Sequence, residues 1–238
     1  MHLTPALRRV ARDRAARSAS ASFGLVIYGF GCYLQVQANI GLSPWNALSQ
    51  GLSLRLPLSL GNASILISLL VIAVDLLLRE SIGLGTILDA LVVGWAMDFF
   101  LWMGLIPLQS SLPLQVAVLL LGIVITCVGA YLYMKTGLSC GPRDALLVAL
   151  GRRLPRISIG TINMAILACV LVASTLLGSP LGLGTPITIF GTGVIMDLVF
   201  KLLHFEPRSV EHEGLAQTWA ALAAAGRETG DEPAQQPR

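Results

Sequence analysis

The sequence predicts an all-α membrane protein: six transmembrane helices in two inverted three-helix repeats, each with a short broken or re-entrant helix after its first span. Three observations lead there. Of 238 residues, 55% are hydrophobic and 12% are charged, against about 25% charged in a soluble domain. The mean hydropathy is +0.76, and so few polar side chains cannot cover a water-soluble globule. Six apolar runs are long enough to cross a bilayer. Finally, the motifs of the first half return, in order, in the second.

The runs cover residues 19–38, 60–78, 86–103, 114–134, 160–177 and 185–203. Each approaches the roughly 20 residues needed for about 30 Å of hydrocarbon. The first follows Arg8, Arg9, Arg12, Arg14 and Arg17, an order that a secretory leader also shows. No convincing small-x-small cleavage site follows, and Asn39-Ile40-Gly41-Leu42 does not read as one. This run is therefore taken as a retained helix.

Charge placement gives the orientation. With the N-terminus inside, Arg79, then Lys135, Arg143, Arg152, Arg153 and Arg156, then Arg208 fall on the cytoplasmic side. The outer side holds Arg55, while the connections 106–113 and 178–184 carry no charge. That is the positive-inside bias, and it places both termini in the cytoplasm. Phe99, Phe100 and Trp102 then sit at the outer interface, where aromatic rings are enriched. The net charge of +3 reads as membrane-flanking, with no nucleic-acid partner.

The repeat is explicit. Asn39-Ile40-Gly41-Leu42-Ser43-Pro44-Trp45-Asn46-Ala47-Leu48 returns 98 residues later as Gly137-Leu138-Ser139-Cys140-Gly141-Pro142-Arg143-Asp144-Ala145-Leu146. Arg55-Leu56-Pro57 matches Arg153-Leu154-Pro155, and Gly83-Leu84-Gly85-Thr86 matches Gly182-Leu183-Gly184-Thr185. Gly94 with Met97-Asp98 matches Gly193 with Met196-Asp197. Three spans per half is an odd number, so the second half must insert upside down, as in transporters built on inverted repeats. The chain divides into a basic segment (1–18), a first membrane repeat (19–106), a linker (107–113), a second repeat (114–204) and a polar tail (205–238).

Gly137-Leu138-Ser139-Cys140-Gly141 also has the G-x-S-x-G spacing of a hydrolase elbow. A serine nucleophile needs a base within reach. The three histidines are His2, His204 and His212, two in the tails and one at the end of the last span. Lys135 is four residues away at the end of its helix. The counterpart Gly41-Leu42-Ser43-Pro44 keeps glycine and serine without the elbow, so backbone geometry is the shared requirement and no enzyme is indicated. Glycine allows positive φ and proline starts helices. Short helices are therefore expected at 44–55 and 142–153, too short to span. They either dip into the membrane from opposite sides or lie in its interface. Their exposed N–H groups make each start a place for an anion.

At these residues the chain resembles the YczE/YitT-like families of bacterial multipass membrane proteins, and most of all the YczE-like branch. The likeness is carried by the G-L-x-P-W-[DN]-x-L segment at 41–48, where Ser43 replaces a frequent glycine. The G-P-R-D core at 141–144 and the two G-L-G-T segments carry the rest. It covers roughly residues 20–204. It implies membrane location and architecture and carries no catalytic residues across; Asn46 stands where the pattern is usually acidic.

Ionisable residues within spans are candidates for function because burying them is costly. Asp89 lies one turn after Thr86. It reads as a proton or cation site, as a partner of Arg143, or as an acid near the interface or a cap to Arg79. Asp98 and Asp197, being equivalent, suggest interhelical hydrogen bonding or ion coupling. Asp75 sits one turn before Arg79 and suits an i,i+4 pair. Cys32, Cys127, Cys140 and Cys169 have no metal-ligand spacing; three pack in spans as small hydrophobes, and Cys140 is the accessible one. Gly24, Gly29, Gly31, Gly122 and Gly129 suit close helix packing. No nucleotide fingerprint, metal or cofactor is indicated. In the tail, 209–225 suggests a short helix and 226–238 disorder.

The expected function is permease-like: a small anionic or polar solute held between the repeats. Arg143 supplies charge, the short-helix starts supply donors, and Trp45 supplies a stacking wall. Asn46 and Asp144 make polar contacts, with Ser139 and Asp89 completing the candidate set. The alternative is a non-transporting component, a substrate-binding subunit or scaffold acting with a membrane partner or as a homo-oligomer. In either case the lipid bilayer is a partner.

Overall fold

A computed structural model describes residues 5–80, 82–138 and 140–205. Ser139, His2, His212, Arg208 and the tail segments 209–225 and 226–238 lie outside the described residues. Eight helices and no strands occur among those described: α1 (Pro5–Gln37), α2 (Pro44–Arg55), α3 (Leu60–Leu77), α4 (Leu84–Met103), α5 (Leu112–Met134), α6 (Pro142–Arg153), α7 (Ile159–Leu176) and α8 (Gly184–Leu202). Six of them, all but α2 and α6, are long and apolar enough to cross a membrane. The protein is an all-helical membrane protein.

Each boundary has a local cause. Pro44 and Pro142 occupy the first turns of the short helices, where the missing N–H costs nothing. Ser59 and Ser158 cap α3 and α7, their hydroxyls accepting from Asn62 N–H at 3.1 Å and Thr161 N–H at 3.2 Å, as N-cap serines do. Gly104 ends α4 in the left-handed region at φ 61°. The first helix runs back beyond the expected span into the basic segment, where Asp13 and Arg17 form an i,i+4 pair at 3.0 Å.

The centre of the bundle is the crossing of α1 and α5. A side chain at Gly24 would meet Gly129 O at 3.1 Å, and one at Gly31 would meet Gly122 O at 2.7 Å and Thr126 Oγ1 at 2.3 Å. The lower-numbered glycine of each helix faces the higher-numbered one of the other, so the two run antiparallel. In lipid there is no hydrophobic drive between helices, and small residues that admit close backbone contact hold such pairs together. Around this axis, α4 packs on α1 and α8 on α5, while α2 packs on α7 and α3 on α6. The short helix of each half thus lies against the second span of the other.

The R-L-P repeat explains that exchange. Arg55 Nε donates to Leu177 O at 3.0 Å, at the end of α7, and Arg153 Nη2 donates to Leu78 O at 2.5 Å, at the end of α3. The last carbonyls of a helix lack internal partners and carry its negative dipole end, so an arginine there is doubly suited. Arg152 adds an ion pair to Glu80 at 2.9 Å.

The expected pair of Asp75 with Arg79 does not form. Arg79 lies past the end of α3 at φ 51°, which takes its side chain off the helical face. Asp75 is fully buried, and neither carboxylate oxygen has a hydrogen-bond partner. Cys32 and Cys127 are buried as expected, whereas Cys169 is exposed on α7. Large apolar side chains cover the outside, among them Leu77, Trp102, Leu176 and Phe190, each more than two-thirds exposed. This is the surface that meets the lipid bilayer.

Replacing Gly31 with Ala is expected to lower stability by about 1–3 kcal/mol through overpacking, read as a fall in Tm of detergent-purified protein. Gly191→Ala, where a Cβ meets nothing closer than 3.9 Å, is expected to leave Tm unchanged or slightly higher.

Candidate functional site

The segment before each short helix is held by the G-L-G-T motif of the opposite half. Gly184 N–H donates to Ile40 O at 2.8 Å, and the equivalent Gly85 N–H donates to Leu138 O at 3.4 Å. Thr86 Oγ1 donates to Cys140 O at 2.8 Å. These contacts demand glycine. A Cβ on Gly182 would lie 2.2 Å from Ile40 O, one on Gly184 would lie 2.7 Å from Gly41 O, and Gly41 itself has φ 123°. The interlocks leave the first turns of α2 and α6 pointing into the bundle, beside the middle of α1 and α5. Their last turns reach the ends of α7 and α3. At about 1.5 Å per residue, 12 residues cover about 18 Å, roughly half a hydrocarbon layer. Both short helices therefore begin inside the bundle and end at its extremities, beside Leu177 and Leu78.

Two connected cavities lie at these helix starts. The larger, of about 350 Å³, opens at the start of α2 and is lined by Cys32, Trp45, Asn46, Thr126, Asn163 and Thr188 among others. The smaller, of about 160 Å³, opens at the start of α6 and includes Ala130, Arg143, Asp144, Tyr28, Ser64 and Asp89. These two sets are repeat counterparts, position by position, at separations of 98 or 99 residues. Tyr28, Arg143, Asp144 and Met196 line both cavities and join them.

All the described candidate residues come together here. Arg143 places its guanidinium over the Trp45 ring, 5.1 Å from the centroid, a cation–π contact between the first turns of the two short helices. Among the described residues Arg143 has no ion pair. The pairing with Asp89 is not made: Asp89 instead rests against the start of α6, where a Cβ on Gly141 would lie 3.0 Å from its Oδ2. Nor does Asp89 cap Arg79, whose exposed side chain lies beyond α3. A carboxylate at a helix start is stabilised by the free N–H groups and the dipole. In the larger cavity the counterpart of Asp89 is Thr188, its hydroxyl turned to Thr185 O at 2.8 Å. The counterpart of Asp144 is Asn46, 4% exposed. The first turn of α2 thus carries no carboxylate of its own, although Asp144 of α6 also lines the larger cavity.

Sequence reasoning missed Tyr28, Gln35, Thr126, Asn163 and Thr188. A polar residue in an apolar span is the available signal, and Gln35 and Asn163 carry it plainly. Gln35 is 5% exposed and bonds Thr126 Oγ1 at 3.0 Å. No group of three or more His, Cys, Asp or Glu suited to a metal occurs among the described residues.

The fold and its cavities define a multi-helix membrane protein with a polar interior at the starts of its two short helices. The chain belongs to the family described as "Family of unknown function (DUF6198)", matched over residues 15–201. It is 30% identical over 205 residues to the "Uncharacterized membrane protein YczE" of Bacillus subtilis, covering 84% of this chain and 91% of that protein. An "Uncharacterized protein" of Haemophilus influenzae is 30% identical over 181 residues, 76% and 82% of the two chains. The "Uncharacterized protein YyaS" of Bacillus subtilis is 28% identical over 188 residues, 76% and 92%. No solved structure matches the chain.

Proposed function

We propose that the protein is a permease-like membrane protein that binds, and carries across the membrane, a small anionic or polar solute in the larger cavity. The observation that carries this reading is the Arg143 guanidinium of α6, which makes no ion pair among the described residues and lies over the Trp45 ring at the start of α2. Around it stand Asn46 and Thr188 where the other half has Asp144 and Asp89. An anionic group entering there gains a charge-assisted partner and free helix N–H groups. Asn163 and Gln35 add neutral donors and acceptors within the same cavity. Asp89 at the start of α6 holds the equivalent place with the protein's own carboxylate. No side chain in this arrangement is given a covalent role, and the site reads as binding rather than enzymatic.

The two halves are proposed to be inverted repeats, a reading supported by the antiparallel α1–α5 crossing and by the exchange of α2 and α6 between halves. The topology that fits the charges puts both termini in the cytoplasm of a bacterial inner membrane. The grouping of Arg152, Arg153 and the end of α3 at one extremity of the bundle agrees with it. The chain would act alone or as a homo-oligomer, with Arg143, Trp45, Asn46 and Asp144 as solute contacts.

The test is ligand-induced thermal stabilisation of detergent-purified protein across a panel of small anions and neutral polar solutes. At 100 times its dissociation constant a ligand adds about 2.7 kcal/mol to the native state. Stabilisation by an anion class is expected, and Arg143→Ala, folded as judged by its own Tm, is expected to abolish it. A well-folded protein silent to the whole panel would count against this reading.

A further inference from the structure

The two halves use the same residues in different states. Between α3 and α4 the seam is shut. Gly61 and Gly94 touch so closely that a Cβ on Gly61 would lie 2.1 Å from Gly94 O. Asp98 locks this end, its carboxylate accepting from Gly61 N–H at 2.7 Å and from the Ser59 hydroxyl. The counterparts in the second half are Gly160, Gly193, Asp197 and Ser158, each 99 residues on. There the seam stands open. A Cβ on Gly193 would meet nothing within 4 Å, and one on Gly160 would meet only Ser158 Oγ at 4.0 Å. Asp197 is exposed, and the Ser158 hydroxyl turns to Thr161 instead. Thr185, the counterpart of the bonded Thr86, has a buried hydroxyl without a partner.

As they stand, these features lack a local purpose. Glycine inside a helix costs about 1 kcal/mol relative to alanine, and Gly193 contacts nothing that requires it. An unpaired acid on a span is costly. Each acquires a role if α7 and α8 come together as α3 and α4 already have. The larger cavity lies at this seam, since Asn163 of α7 and Gly193 and Met196 of α8 line it.

We infer that the α7–α8 seam closes in a second conformation by the same contacts that close the α3–α4 seam. Gly160 packs on Gly193, and Asp197 accepts from the Ser158 hydroxyl and Gly160 N–H. The two seams are gates at opposite ends of one cavity, and on the proposed topology this structure is open to the cytoplasm. The inference rests on the reading of that cavity as a solute site reached from either face, and it names the moving parts.

The experiment uses the full chain in native membranes, with Cys140 and Cys169 replaced by Ala and the buried Cys32 and Cys127 retained. Ser158→Cys and Asp197→Cys are introduced together and treated with a short bifunctional thiol reagent. An internally cross-linked, faster-migrating monomer is expected, and adding Gly193→Leu is expected to remove it by wedging the seam. The single variants, labelled with a monofunctional reagent, establish that both sites are reachable in folded protein. If both label and the pair gives no cross-link, the gate is overturned. A cross-link indifferent to Gly193→Leu overturns it too, because the contact would not then be the glycine seam. The readout needs no solute. A cross-link beside a silent solute panel removes the binding reading and leaves the gate, whereas stabilisation without a cross-link removes the gate alone.

Discussion

The interlock of each G-L-G-T segment with the chain that precedes the opposite short helix is the contact on which the remaining structure depends. A backbone that leaves its helix inside a bilayer finds no water, so its polar groups must be satisfied within the protein. Here Ile40 O and Leu138 O are taken by Gly184 and Gly85 N–H. Gly182, Gly184 and Gly41 let the chains approach to distances that no side chain permits. Once these breaks are satisfied, α2 and α6 can begin near the middle of the bundle. With the starts inside, their free N–H groups and Arg143 face a common cavity. The arginine caps at Leu78 and Leu177 then fix the other ends of the short helices.

Much of this was legible in the sequence, because the signals are local. Proline and glycine set the starts of α2 and α6, and both helices have the bounds that the motifs predict. The span limits follow from apolar run length within about two residues, α1 apart, which continues into the basic segment. Arg143, Trp45, Asn46 and Asp144 stand beside the breaks in the sequence, and the structure gathers them around two joined cavities with Asp89. Other features depend on which segment meets which. Asp75 loses its expected partner because Arg79 adopts a left-handed backbone, and no residue type there announces it. Thr126 and Tyr28 face the cavity only through the antiparallel crossing of α1 and α5. The repeat announces that Asp98 and Asp197 are equivalent, yet only Asp98 is engaged. Equal sequence with unequal contacts is a property of conformation, which sequence does not carry.

The chemistry of the site comes from a small departure from symmetry. Each half presents a helix start to the cavity, and each start favours negative charge. One half fills that place with Asp89, while its counterpart Thr188 carries no charge. The same departure separates Asp144 from Asn46 and Arg143 from Trp45. The result is one guanidinium held over an indole ring between the two helix starts.

On the proposed topology the two short helices enter the bundle from opposite membrane faces. This is tested most directly by thiol labelling in intact bacterial cells, using Pro57→Cys, just beyond α2, and Ile157→Cys, just beyond α6, each in a Cys140→Ala, Cys169→Ala chain. A membrane-impermeant reagent is expected to label position 57 in intact cells and position 157 only after permeabilisation. Labelling of both positions from the same face would contradict the inverted arrangement, and with it a cavity shared by two oppositely entering helices.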